Sequence, residues 1–171
     1  MKNKFEKEFR NKLIYTKDKF SDYVFLCVGT DKVIGDSFGP LVGESLNNKI
    51  GKKYEIIGST KENLTYTNIQ LKIDEIFEKY NNPCIIAIDS ALSHERNIGR
   101  IVISRNKMTL GKSLNKDKFN IGDICIKAIV AKKYDTPMEN YIELKRASYQ
   151  LIEKLVKITS NGINNVMSKN I

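Results

Sequence analysis

Apolar and polar positions along this chain follow two different periods, and the order of those periods predicts an α/β fold. Nearly continuous apolar runs, typical of buried strands, occur at residues 23–28, 54–58 and 84–89. Between these runs, apolar residues recur at every third or fourth position, which predicts amphipathic helices over about residues 37–48 and 65–80. The β-α-β-α-β order predicts parallel strands joined by crossover helices.

The second half of the chain departs from this alternation. Residues 99–104 form an apolar run so soon after the third strand that no crossover helix fits between them, so this strand is expected to be antiparallel. Residues 106–122 carry no strong period, which predicts a long loop. A final strand is expected at 123–131. The run TPME at 136–139 is then typical of a capping box that begins a last helix, which is expected to end at the NG pair, 161–162.

One domain is therefore expected over residues 1–171, built as a three-layer α/β/α sandwich around a mixed, mainly parallel sheet of five strands. Residues 1–20 place Phe5, Phe9 and Leu13 on one stripe of a short helix, which we expect to pack on the outside of the domain as an N-terminal extension. With the first strand between the second and the third, the direction of winding would reverse between strands one and three. Open α/β sheets bind ligands at such a reversal.

Composition excludes several classes of protein. Of the 171 residues, 41% are hydrophobic and 29% are charged, which fits neither a disordered chain nor a membrane protein. The N-terminal residues carry charge but no apolar segment typical of a signal peptide, so a cytoplasmic protein is expected. Cys27, Cys84 and Cys125 lie in predicted strands without a CxxC spacing, which predicts buried free thiols and no zinc site.

The net charge of +9 raises the question of a nucleic-acid partner. The lysines are dispersed along the chain, and no basic stripe is interleaved with aromatic residues. Joint enrichment in Lys, Asn and Ile is also what A+T-rich coding produces without selection for binding. The charge alone therefore does not favour nucleic-acid binding, and no membrane partner is predicted either.

The most distinctive motif is the run GTDKVIGDSFGP at residues 29–40, between the first strand and the following helix. A phosphate-binding loop needs the spacing G-x-x-x-x-G followed by lysine, whereas here the spacing is one residue longer and Asp36 takes the place of lysine. Its negative charge would repel a phosphoryl group. Asp36 is then either the N-cap of the helix or a functional carboxylate.

A second carboxylate is expected close to the first. Asp89 comes at the end of the third buried run, so both aspartates would face the crevice at the reversal point. Two neighbouring carboxylates in a partly dry cleft can share a proton, so that one activates water while the other donates to the substrate. The same pair could hold a metal ion, but His94, the only histidine, is expected to be an exposed loop residue.

Other hydrolytic arrangements fit less well. A Ser-His-Asp triad would have to use His94, and the chain contains no G-x-S-x-G motif. A Cys-His pair would have to use a cysteine from a buried strand. The aspartate pair is therefore the favoured chemistry, and no cofactor is predicted.

Three segments resemble the YyaC family of sporulation proteins, described as spore proteases: CVGTDKVIGDSFGPLVG, PCIIAIDSAL and GKSLNKDKFNIGDICIKAIV. The resemblance covers roughly residues 23–157, and the G-T-D-x-x-x-G-D-S-x-G-P block is its most specific part. This family is similar to the germination protease that degrades small acid-soluble spore proteins. It also resembles hydrogenase-maturation endopeptidases and, more loosely, peptidyl-tRNA hydrolase in fold. That phosphorylase/hydrolase-like fold has a five-stranded mixed sheet with one antiparallel strand.

The resemblance implies roles for particular residues. Asp36 and Asp89 match the two aspartates held essential for the unusual aspartic-type proteolysis of the germination protease, so they are the expected catalytic residues. Hydrogenase-maturation enzymes add a histidine that completes a metal site, and since no residue here clearly matches it, no metal is expected. The N-K-D core of the family's glycine-rich loop matches residues 115–117, although the prolines usual before its V-G-D are missing. The expected substrate-binding residues are Asp31, Ser37, Ser90, Asn115 and Lys116.

Together these inferences predict a cytoplasmic peptidase of sporulating cells or spores, whose aspartate pair hydrolyses peptide bonds of a protein or peptide substrate through water. Small acid-soluble spore proteins are the substrate that the resemblance suggests. Two alternatives remain open. One is a non-catalytic binding or scaffold protein on the same fold, and the other is a peptidyl-ester hydrolase like peptidyl-tRNA hydrolase, whose asparagine–histidine pair has no counterpart here. The sequence predicts no particular oligomeric state.

Overall fold

The computed structural model describes residues 1–110 and 119–169, with the side chains of residues 108–110 and 119 excepted. The helices are α1 (Lys2–Ile14), α2 (Phe38–Ile50), α3 (Ile69–Lys79), α4 (Pro137–Lys145) and α5 (Tyr149–Met167). The strands are β1 (Tyr23–Cys27), β2 (Glu55–Ile57), β3 (Cys84–Ser93), β4 (Ile101–Ser104), β5 (Met108–Leu110), β6 (Phe119–Ile121) and β7 (Ile124–Lys132).

Five of the strands form one mixed sheet in the order β2-β1-β3-β7-β4. β1 pairs in parallel with β2 and with β3, β3 pairs in parallel with β7, and β4 is antiparallel to β7. The predicted mixed, mainly parallel sheet of five strands is thus confirmed, and the first strand lies between the second and the third, the arrangement on which the candidate site depends. The direction of winding reverses between β1 and β3, as expected.

Helices cover both faces of this sheet because its central strands are apolar on both sides. On one face, α1, α2 and α5 pack over a core that includes Phe25, Ile86 and Ile126. On the other face, α3 covers a smaller core that includes Leu26 and Ala87. Neighbouring residues of β1 and of β3 enter different cores, as the two-residue period of a strand requires. The predicted three-layer α/β/α sandwich is confirmed.

The third strand is longer than predicted. β3 does not end at Asp89 but continues to Ser93, with a register irregularity against β7 between Ala91 and Leu92. The last five residues of β3 are only partly buried, so the apolar run in the sequence ends where the core ends and not where the strand does. Hydrogen bonding to β7 carries the strand beyond the core.

The predicted long loop over residues 106–122 is wrong at both ends. Met108–Leu110 and Phe119–Ile121 pair antiparallel as β5 and β6, in a separate two-stranded sheet. Each of these strands has only three residues, too few for a period to show in the sequence. Residues 111–118 lie outside the described residues.

The predicted last helix is in fact two helices. Thr136 caps α4 as expected, since its hydroxyl accepts a hydrogen bond from the Glu139 N–H at 3.2 Å. α4 then ends at Lys145, and Ser148 begins a new helix by accepting from the Leu151 N–H at 3.3 Å. The second cap interrupts what looks like one continuous apolar period in the sequence.

The predicted helix end at residues 161–162 is wrong as well, because α5 continues to Met167. Gly162 lies inside α5, where the helix approaches α1. A Cβ at this position would come within 2.3 Å of the Phe5 ring, so glycine permits the contact. The apolar stripe of α1 is buried against α5 and the sheet as part of the main core.

Candidate active site

The candidate site lies where β1 ends and β3 continues past it. The last register pair of these strands joins Cys27 to Ile88, and the Val28 N–H donates to the Ile88 carbonyl at 2.8 Å. Asp89, the next residue of β3, therefore lies at the carboxyl end of β1, at the reversal point of the sheet. It is partly buried, whereas the five β3 residues before it are fully buried.

The glycine-rich turn after β1 folds Asp36 back over this end of the sheet. Gly29 has a φ of +135°, and a Cβ there would lie 2.1 Å from the Asp36 carbonyl oxygen. Only glycine allows this backbone conformation together with so close an approach. The next N–H, that of Thr30, then donates to Asp36 Oδ2 at 2.9 Å and to the Asp36 carbonyl at 3.2 Å. The backbone at the start of the turn thus holds the Asp36 carboxylate in place.

Asp36 ends a short 3₁₀ turn, Ile34–Asp36, and does not cap α2. Ser37 occupies the N-cap position, and it makes no side-chain capping hydrogen bond. The Asp36 carboxylate is directed instead to the N–H of Thr30 and to the hydroxyl of Ser90 on β3. The interpretation of Asp36 as a helix N-cap is therefore wrong.

The two aspartates interact electrostatically and retain a proton near neutral pH. Burial, and after it the negative charge of Asp36, raise the pKa of Asp89 to about 7, while the Ser90 N–H and the Lys127 ammonium oppose the rise. Burial also raises the pKa of Asp36, against the effect of the Thr30 N–H and the Ser90 hydroxyl. Because both pKa values are raised and the two carboxylates interact, the pair can hold one shared proton near neutral pH.

Ser90, one of the predicted substrate-binding residues, connects the two carboxylates. Its N–H donates to Asp89 Oδ1 at 2.8 Å, while its hydroxyl interacts with Asp36. A serine in this position stabilises the charged forms of both aspartates. Its contacts in the described structure are therefore with the acid pair itself.

Lys127 is a site residue that the sequence motifs do not reveal. It is the register partner of Asp89 on β7. Two residues earlier on each strand, Ala87 and Cys125 are also register partners, and both belong to the core under α3. Because strand residues alternate between faces, Asp89 and Lys127 share that face of the sheet. The charge of Lys127 lowers the pKa of Asp89. The signal that marks Lys127 is its position as the lone charged residue within the apolar run ICIKAIVA.

The loop between β2 and α3 supports the glycine-rich turn. The Thr30 hydroxyl donates to Asn63 Oδ1 at 2.9 Å, and the Gly29 N–H donates to the Leu64 carbonyl at 2.8 Å. Asn63 is held in turn by Asn68, whose side-chain amide donates to the Asn63 carbonyl at 2.9 Å. Thr30, which belongs to the glycine-rich motif, and Asn63, which no motif marks, are thus further polar residues beside Asp36.

The other predicted substrate-binding residues are placed differently. Asp31 is exposed in the turn. Ser37 is buried, and its hydroxyl donates to the Ile34 carbonyl at 2.7 Å, so this hydroxyl is engaged in the turn itself. Asn115 and Lys116 lie outside the described residues.

Within residues 1–110 and 119–169, no three His, Cys, Asp or Glu side chains lie together in a group that could hold a metal ion. His94 is exposed just after β3, as predicted. The three cysteines are buried free thiols, also as predicted, and burial raises the pKa of Cys84 to about 12. Buried protonated thiols are poor nucleophiles. No helix in this part of the chain is long and apolar enough to cross a membrane.

Comparison with known proteins identifies relatives of most of the chain. The family described as "Protein of unknown function (DUF1256)" matches residues 1–162. The chain is 28% identical over 141 residues to the uncharacterized protein YyaC of Bacillus subtilis (strain 168), which covers 82% of this chain and 67% of that protein. The crystal structure of a NiFe hydrogenase maturation protease, HycI from Thermococcus kodakarensis KOD1, matches with a TM-score of 0.61 at 17% identity, over 91% of this chain and 98% of that one. This likeness shows a common fold, as the resemblance to the YyaC family implies.

Proposed function

This chain belongs to the DUF1256 family, and we propose that it is a peptidase in which Asp36 and Asp89 hydrolyse peptide bonds of a protein substrate. One observation carries the proposal. The turn after β1 and the strand β3 bring two carboxylates into electrostatic interaction at the reversal point of the sheet, and the pKa of Asp89 is about 7. Such a pair can exchange protons with a substrate near neutral pH. The fold shared with a hydrogenase maturation protease supports this reaction class as an analogy.

In this proposal Asp36 is the general base and Asp89 the general acid. The charged form of Asp36 accepts from the Thr30 N–H and is stabilised by Ser90, so it is available to take a proton from water. The resulting hydroxide oxygen bonds to the carbonyl carbon of the peptide. Asp89 gives its proton to the leaving amide nitrogen as the C–N bond breaks. The pair then holds one proton, as it did at the start.

The rate of hydrolysis is expected to pass through a maximum where the pair holds one proton. Above about pH 7, Asp89 loses the proton that it must donate, so kcat should fall about tenfold for each pH unit. On the acid side, protonation of Asp36 removes the base, and the raised pKa of Asp36 places this limb above the usual range of an aspartate. The measurement is kcat between about pH 4 and about pH 9. A rate that keeps rising above about pH 8 would contradict the assigned roles.

Lys127 is expected to act through Asp89, as a positioning residue. Lys127→Met should lower kcat about tenfold, because the ammonium stabilises the carboxylate that forms when Asp89 gives up its proton. Loss of the positive charge should also raise the pKa of Asp89 and so move the alkaline limb of the pH profile upward. Lys127→Arg keeps the charge and should keep most of the activity. An unchanged pH profile in Lys127→Met would show that Lys127 has a structural role only.

The proposed setting is the cytoplasm of a sporulating cell or a spore, and the proposed substrates are small acid-soluble spore proteins, as the resemblance to spore proteases suggests. The test is to incubate the purified chain with these proteins and to follow new termini by mass spectrometry over time. Binding without cleavage would favour the scaffold alternative, and release of peptide from peptidyl-tRNA alone would favour the esterase alternative. Addition of a chelator to the same assay tests whether a metal takes part, and an unchanged rate is expected.

A further inference from the structure

The free edge of the large sheet is a feature that the proposed mechanism does not use. β4 is the last strand of this sheet, and within residues 1–110 and 119–169 only β7 pairs with it. The Ile129 N–H donates to the Arg100 carbonyl at 2.9 Å, so the backbone of residue 100 bonds toward β7. Because this orientation alternates along an antiparallel ladder, Ile101 and Ile103 direct their N–H and C=O groups to the open edge.

An open groove runs along this edge, between β4 and α1. Its volume is about 840 Å³, and it is lined by residues 100–103 and by the side of α1 that carries Lys4, Glu8 and Lys12. α1 has 13 residues, which at about 1.5 Å per residue is about 20 Å. An extended segment of about six residues would match that length. The groove therefore has the shape of a site for one added strand.

The charge of the groove is positive. Lys12 and Arg100 both line it, and Glu8, its acidic residue, faces Lys4 at 3.8 Å. The exposed side chain of Val102 adds an apolar contact on the other face of β4, since Ile101 and Ile103 are the residues that face the core under α1. An acidic segment with apolar residues at alternate positions would complement this surface.

A second copy of the chain fits this edge less well. Two-fold pairing of β4 with a second copy would bring the basic groove of one copy, with Lys12 and Arg100, against Arg100 of the other. Like charges that approach each other in this way repel. The same basic residues would instead attract carboxylates on a partner strand of different sequence.

We propose that the β4 edge binds an extended acidic segment of the substrate protein by β-strand addition. The backbone of this segment pairs with Ile101 and Ile103, and its carboxylates contact Lys12 and Arg100. Two strands, β7 and β4, separate β3 from the added strand, so at about 4.8 Å per strand the docked segment lies about 14 Å from Asp89. The segment is therefore held beside the site, and the bond to be cleaved lies at least about four residues away along the substrate chain.

This inference rests on the proposed function for the identity of its partner, but docking can be measured without hydrolysis. The experiment uses Asp36→Asn protein and a fluorescein-labelled peptide of about six alternating glutamate and valine residues, sized to the groove. On binding, hydrogen exchange of the Ile101 and Ile103 amides should slow. The combined change Arg100→Glu and Lys12→Glu should weaken the affinity at least about tenfold, and added salt should weaken it in the unaltered groove.

Three controls separate docking from general attraction to a basic protein. Lys52→Glu makes a charge change of the same kind just before β2, the strand at the opposite edge, and should change the affinity less than about twofold. A lysine–valine peptide of the same length should not bind. A glutamate–valine peptide N-methylated at every residue has no N–H to donate to β4, and it should bind at least about tenfold more weakly to the unaltered groove.

Each of several results would overturn the docking proposal: no binding up to about 1 mM peptide, binding with unchanged exchange at Ile101 and Ile103, or equal binding of the N-methylated peptide. Dimerisation that protects the same two amides without peptide would assign the edge to a second copy. Cleavage of protein substrates without docking would reject the docking site and leave the peptidase standing. Docking without any cleavage by the unaltered chain would do the reverse.

Discussion

Asp89→Asn is expected to abolish the proposed hydrolysis, with kcat reduced at least about 10³-fold. Asparagine keeps the size of the side chain and an acceptor for the Ser90 N–H, but it cannot supply the proton that Asp89 holds up to about pH 7. Asp36→Asn should have an effect of similar size, because an amide cannot take a proton from water. The double variant should be little worse than either single variant, since the two residues act as a unit.

The control for these variants is Asp74→Asn, which removes a carboxylate from the exposed side of α3. Its side-chain oxygen accepts from Gln70 at 2.8 Å, and asparagine keeps that acceptor, so activity should remain within about twofold of the unaltered chain. Full activity in either Asp36→Asn or Asp89→Asn would reject the aspartate pair as the catalytic centre.

Asp89→Asn is also expected to stabilise the protein above pH 7, by about 2 kcal/mol or more. The pKa of Asp89 is raised from 3.8 to about 7, chiefly by burial, so between these values the folded chain holds a proton that the unfolded chain has lost. The stability that this proton contributes is complete below pH 3.8 and is lost as the pH rises to about 7. At 1.36 kcal/mol for each pH unit, the loss in the free energy of unfolding approaches about 4 kcal/mol. The electrostatic interaction between Asp89 and Asp36 accounts for part of this loss. Asparagine carries no charge at any pH and avoids this loss.

Thermal unfolding of the two proteins between about pH 4 and about pH 8 measures this effect. The melting temperatures should be similar near pH 4, and the variant should melt higher by about 4–8 °C at pH 8, as expected for a chain of this size. Asp74→Asn should show no such divergence, because Asp74 is exposed. A constant difference across the range, or one that grows toward acid, would show that burial of the Asp89 charge is not its cause.

The two results together distinguish a catalytic from a structural role for Asp89. Replacement of a residue that stabilises the fold lowers the stability of the protein. A buried acid with a raised pKa instead lowers the stability itself and is typical of a functional site. Loss of hydrolysis together with a gain in alkaline stability is therefore the combination that the aspartate pair predicts. Loss of both would indicate that Asp89 stabilises the end of β3.

The sequence by itself determined the class of fold, the succession of the main strands and helices along the chain, and the two aspartates as candidates. Apolar runs such as those of β1 and β3, and the helical period of α2, are local properties of the chain, so they are visible without a structure. The glycine-rich turn is local too, because Gly29 and Asp36 lie within one short loop and glycine is required where the backbone closes on itself.

Only the tertiary structure decided how far the elements extend and which side chains meet. β3 continues to Ser93 because β7 supplies hydrogen-bonding partners, and no apolar run marks that extension. Lys127 joins the site because the register of β7 places it beside Asp89, although the two residues lie on strands far apart in the sequence. The pKa of Asp89 depends on burial and on charges from two other segments, namely the glycine-rich turn and β7. Each of these properties depends on distance in space, whereas periods and motifs record only distance along the chain.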